Sequence, residues 1–111
     1  MAKRPRTERR EAARDAEKLA RVRVKLAALE PGGGPDRPIE VTSASIIESH
    51  ASSMVCAACG NPGVRVEDHV AKTLEGAPGE PARRLRVVHI MCQRCGTRRE
   101  VYFRIGTVLP S

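Results

Sequence analysis

The four cysteines of this chain stand in two copies of Cys-x-x-Cys-Gly, "CAACG" at residues 56–60 and "CQRCG" at residues 92–96. A Cys-x-x-Cys turn presents two thiolates about one turn apart. A glycine behind the second cysteine lets the backbone adopt a left-handed or open conformation, so that amides can face the sulfurs. Two such turns supply four soft ligands, the number that a tetrahedral ion takes. Cys56, Cys59, Cys92 and Cys95 are therefore the expected ligands of one Zn2+ per chain. Four thiolates leave no coordination position for water or substrate, so the metal is expected to be structural rather than catalytic.

The elements that must position these ligands follow from the 32 residues between Cys59 and Cys92. "VRVEDHV" at 64–70 alternates Val64, Val66 and Val70 with polar residues. "LRVVHIM" at 85–91 is apolar on both faces, and "REVYFRI" at 99–105 places Val101, Phe103 and Ile105 on one face. "EGAPGEPAR" between the first two runs is a turn signal that joins them as an antiparallel hairpin, with the double-sided run as the central strand. A hairpin that leaves one cysteine turn and returns to the other brings all four sulfurs together whatever its length. The gap exceeds the about 15–20 residues of the shortest zinc patterns, and a longer hairpin absorbs the excess.

Through "CAACGN" and "CQRCG" joined by strand-forming sequence, residues 54–105 resemble the zinc-ribbon family. The resemblance implies a scaffold and not one function. The expected fold is a small metal-stabilised β domain. It is a three-stranded antiparallel ribbon over residues 54–111, preceded by an exposed basic N-terminal helix over 1–30 and a Gly/Pro linker with an edge strand over 31–53.

Other uses of the cysteines are open on the residues alone, namely iron at the same turns and a thiol-redox or metal-released switch. Rubredoxins have aromatic-rich cores, and here Tyr102 and Phe103 are the only aromatics of this kind. Thioredoxin-type chemistry sets one Cys-x-x-Cys in a βαβ unit, which neither copy has. Zinc deaminases add a His-x-Glu pattern, and none of His50, His69 or His89 begins one. With the metal site filled by thiolates, His50 and His69 are expected at the surface and His89 on the central strand near the cysteine turns. Zinc ribbons that assist transcript cleavage carry adjacent acids at the hairpin tip. Glu75 and Glu80 are separated by "GAPG", so that role is not expected. No nucleophile with its base, phosphate-binding loop or paired-carboxylate site is present, and the protein reads as a non-enzyme.

"TERREAARDAEKLARVRVKLAALE" at 7–30 has no Gly or Pro and spaces Leu19, Val22, Leu26 and Leu29 by three, four and three, as one helical face requires. Thr7 is the expected cap and Pro31-Gly32 the stop. "PGGGPDRP" at 31–38 is a flexible linker by composition. Ile39 and Val41 fit an edge strand, whereas Ser45-x-x-Glu48 is a capping pattern for a short helix.

Charge then points to partners. The formal net charge is +7, and it is concentrated in two places. Residues 1–30 hold ten Lys or Arg, Lys3 and Arg4 among them, against five acids, and residues 83–104 hold seven Arg against Glu100. Such a balance favours polyanions. On the last strand Arg98, Tyr102 and Arg104 share a face by alternation, and Arg84 and Arg86 start the central one. Cations around an aromatic suit phosphate contact with base stacking. These five residues are the expected nucleic-acid contacts, with the basic helix as an arm. The alternative is a protein-interaction adaptor that docks on a larger transcription or translation machine. No apolar run approaches the about 18 residues of a membrane span or forms a signal peptide, and the expected location is the cytoplasm, with no membrane partner. There, paired cysteines are metal ligands more often than disulfides.

Overall fold

A computed structural model of the chain describes residues 5–106. Lys3 and Arg4 of the basic arm lie outside the described residues, as do residues 107–111 at the end of the expected ribbon. Helix α1 runs from Pro5 to Leu29. Thr7 is already inside the helix rather than its cap, and Pro5 is accommodated near the helix start because proline presets a helical φ and the first turn does not need its missing amide hydrogen. The helix closes at Ala27 and Glu30, whose carbonyls accept from the amides of Glu30 and Gly33 at 3.2 and 2.9 Å.

The glycine-rich stretch that follows is tied to the sheet. The amide of Gly32 donates to the Arg37 carbonyl, and the Gly32 carbonyl accepts from the Tyr102 amide at 2.9 Å. Gly32 sits at φ +87°, and an added Cβ would stand 2.7 Å from Ile39 Cδ1 and 3.1 Å from Val101 Cγ1. Composition reads this segment as a free linker; long-range hydrogen bonds make it an ordered turn instead. Gly32→Ala should therefore lower stability by about 1–2 kcal/mol through the backbone conformation and the close approach. Chemical denaturation checks this, and an unchanged midpoint would show that the turn is not held as described.

The turn delivers β1 (Ile39–Val41) to the edge of the sheet, where it pairs parallel with β4 (Arg98–Ile105), Ile39 opposite Phe103 and Val41 opposite Ile105. The sheet order is β1-β4-β3-β2, with β2 spanning Val64–Leu74 and β3 spanning Arg83–Cys92, joined antiparallel. The sheet thus has four strands and mixed pairing, not the three antiparallel strands expected. Three residues carry too little periodicity to reveal a strand by themselves, and only the partner in β4 makes β1 one.

Between β1 and β2 lie a 3-10 turn (Ala44–Ile46) and helix α2 (Ile47–Ser52). The cap is Ser43, whose Oγ accepts from the Ser45 amide at 3.2 Å, rather than Ser45. Helix α2 puts Ile47 and Ala51, both fully buried, onto one face of the sheet. There they join Val88, Ile90, Cys92, Val101 and Phe103, and the thiols of Cys56 and Cys92 belong to this same core. The central strand is buried on its other side as well, through Leu85 and Val87.

One irregularity in β2 redirects its side chains. The register shifts between Val66 and Asp68, so that Val66 pairs with Ile90 and Asp68 with His89. Glu67 is the extra residue of this bulge, and beyond it the alternation is inverted. Val70 therefore shares the open face with Val87 instead of following Val64 and Val66 into the core, and it is 38% exposed. His69 turns toward the core in its place, opposite Val88.

Candidate metal centre and the charged faces around it

The two cysteine turns repeat one geometry. Gly60 donates to the Cys56 carbonyl and Gly96 to the Cys92 carbonyl, each at 2.9 Å. Cys56 and Cys92 in turn donate to the carbonyls of Asn61 and Thr97, again at 2.9 Å. Gly60 and Gly96 have φ of +74° and +76°, a conformation that costs glycine little and other residues more. In each turn the first cysteine is buried against the sheet and the second is exposed.

Strands β2 and β3 bring these turns together, since Val64 pairs with Cys92. The Sγ atoms of Cys56 and Cys95 lie 3.6 Å apart and those of Cys59 and Cys92 3.7 Å apart, and all four fall within 4.8 Å of one another. A tetrahedral ion with metal–sulfur bonds of about 2.3 Å holds its sulfurs about 3.8 Å apart, so the four residues fit such an ion. The set can hold a metal ion, and among the described residues no other group of three or more His, Cys, Asp or Glu side chains does so.

Electrostatics distinguishes the four thiols. Hydrogen bonding from the Thr97 hydroxyl and backbone lowers Cys95 to about 6, with Thr97 Oγ1 3.1 Å from its sulfur. The Asn61 backbone pulls Cys59 down, but desolvation and the three neighbouring thiols outweigh it and push Cys59 up to about 11. Four converging sulfurs cannot all carry charge without a cation among them, and a bound ion would supply it.

Helix α1 lies against this centre with its small residues. Ala16, Leu19 and Ala20 line a groove with Cys59 and Cys95, Ala27 is buried, and Arg23 and Leu26 line a second groove with Cys56 and Gly60. Half-buried Arg99 joins helix and sheet, since its Nη2 donates to the Ala27 carbonyl at 3.4 Å. Desolvation lowers the Arg99 pKa, and Glu30 offsets part of that shift. No sequence signal points to this contact, because alanines read as plain helix formers.

The five expected nucleic-acid contacts fall on two faces. Arg86 pairs with Phe103, so Arg86 and, by alternation, Arg84 share the face that α2 covers in part, whereas Arg98, Tyr102 and Arg104 occupy the open one. On the open face each of the three has an acidic partner. Arg98 Nε donates to Glu67 Oε1 at 3.0 Å, Arg104 pairs with Glu40, and the Tyr102 hydroxyl donates to Glu100 Oε2 at 2.6 Å. The Tyr102 bond, followed by His89, holds the Glu100 carboxyl below its usual range. Glu67, which meets Arg98, lies at the bulge and on the face that alternation from Val64 and Val66 also assigns to it.

The histidines divide differently from expectation. His89 stands on the open face between Asp68 and Glu100, its Nδ1 3.7 Å and its Nε2 3.2 Å from their carboxylates. His50 is not a free surface residue, since its ring meets the edge of Phe103 at 5.5 Å. His69 is drawn inward by the bulge, and the Nε2 atoms of both His50 and His69 are buried without a hydrogen-bond partner.

No protein-family model matches this chain, and neither a curated protein nor a solved structure does. The metal centre thus rests on its own geometry. Among the described residues, no helix is long and apolar enough to cross a membrane.

Proposed function

We propose that the chain is a non-enzymatic zinc-ribbon module of a reducing compartment that binds the phosphate backbone of nucleic acid through α1. One zinc ion on Cys56, Cys59, Cys92 and Cys95 would supply rigidity and charge balance, and the two turns would hold the base of the helix in place. The observation that carries the reading is the distribution of cations on α1. At about 100° per residue, Arg6, Arg10, Arg14, Lys18, Arg21 and Lys25 lie within one arc of about 120°, with Glu17 among them. All six are exposed. From Arg6 to Lys25 the row extends about 29 Å at about 1.5 Å per residue.

The sheet contributes less to this reading. Arg98 and Arg104 are neutralised by Glu67 and Glu40. Phe103 is buried on the core side, which leaves the half-buried Tyr102, its hydroxyl held by Glu100, as the one Phe or Tyr ring on the open face for stacking on bases. Phosphates, not bases, are the expected contacts, and sequence preference should be weak.

Fluorescence anisotropy with a labelled DNA duplex across a salt series tests this. Six contacts give a log-log slope near about −5, at about −0.9 per phosphate neutralised. The double substitution Arg10→Ala and Arg14→Ala should reduce the slope by about two contacts, whereas Arg98→Ala should leave it nearly unchanged. No binding at low salt, or a slope that responds to Arg98 and not to the helix, would overturn the proposal.

A further inference from the structure

Leu19, Val22, Leu26 and Leu29 are 50, 52, 55 and 62% exposed, a continuous apolar seam on α1 beside the cationic arc. Spacings of three, four and three are those of paired helices, and the seam covers about 15 Å of helix. Its two flanks differ. On one side Arg23, Ala16, Ala20 and Ala27 lean on the cysteine turns, and the near edges of Leu19 and Leu26 border the same grooves while both remain half exposed. On the other side Lys18, Arg21 and Lys25 face solvent. Only this cationic flank is free to meet the flank of an incoming helix.

That asymmetry argues against a second copy as the occupant. An antiparallel pair would set Lys18 and Lys25 against the same residues of the partner helix, and like charges there repel. A parallel pair would set Lys18 against Arg23, and the opposite-charge contacts that could offset either arrangement, Glu30 with Lys25 or with Arg23, all need the flank that already leans on the cysteine turns. Charge complementarity selects a different partner. We infer that the Leu19–Leu29 seam docks an amphipathic helix of another protein, apolar along the contact and acidic along the flank that meets Lys18 and Lys25. Such a helix places its leucines between those of α1 and its carboxylates beside the two ammonium groups. With only about two heptads in contact, the complex should be weak and rapidly reversible.

The test uses the zinc-loaded full chain and a labelled designed peptide of about three heptads, with Leu along the seam and Glu along both flanks. The acidic peptide should bind saturably below about 1 mM, and its counterpart with Lys at the flanks roughly tenfold or more weakly. The double substitution Leu26→Gln and Leu29→Gln keeps the charge and a helix-compatible surface, and it should abolish saturation. Binding of the acidic peptide that survives this change would mean attraction to the cationic arc alone and would overturn the inference. So would absence of saturable binding, equal binding of both peptides, or sedimentation of the unliganded protein as a dimer.

Discussion

Cys92→Ser should lose the metal and the sheet together. Cys92 is fully buried at the end of the central strand, and Cys56 and Cys92 are members of the hydrophobic core as well as of the cysteine cluster that could hold a metal ion. Structural zinc contributes on the order of 10–16 kcal/mol of folding free energy at neutral pH, as much as the whole stability of a small domain, about 5–15 kcal/mol. A serine oxygen in this site replaces a thiolate by a hard, protonated ligand. Cys59→Ser, at an exposed ligand position, should lose the metal as well. Elemental analysis of the wild-type chain should return one zinc, and the circular-dichroism signal of the strands should disappear in either variant. A wild-type protein without zinc, or a variant that keeps a near-native spectrum, would sink this account.

The second large effect is at Phe103, which is fully buried. Its ring fills the space between β1 and α2, opposite Ile39 across the parallel pair and with the edge of His50 at 5.5 Å. Phe103→Ala should cost about 3–5 kcal/mol, the usual effect of emptying an aromatic site in a core. For a domain of this size about 4–8 °C of Tm accompany each kcal/mol, so a fall of more than about 12 °C is expected in the zinc-loaded protein. The cysteine turns lie at the other end of the strands, and one zinc per chain should be retained. A fall below about 4 °C would show that β1 and α2 are not packed on the ring as described.

Some features are legible from the order of residues alone. The cysteine pairs, their trailing glycines and the apolar runs of the hairpin are local patterns, and local backbone preference and side-chain alternation suffice to interpret them. The same is true of α1, whose alanines, leucines and charged residues favour helix without help. Thr7 lies within the helix although it has the chemistry of a cap, and Pro5 is helical although it has that of a breaker.

Other features belong to long-range pairing. β1 is three residues long, and its strand character comes from the register Ile39 opposite Phe103. The turn at Gly32 is ordered because its carbonyl meets the Tyr102 amide, about seventy residues later in the chain. The bulge at Glu67 inverts the faces of β2 beyond it, sends His69 inward and turns Asp68 and Val70 outward. A one-residue slip of this sort leaves no mark in composition, yet it moves every later side chain to the opposite face. The sequence by itself determined which atoms can bind a metal and which helix carries the charge. The tertiary structure alone decided which arginines are neutralised and which helix faces stay open, because ion pairs and burial depend on what the register and the packing bring alongside.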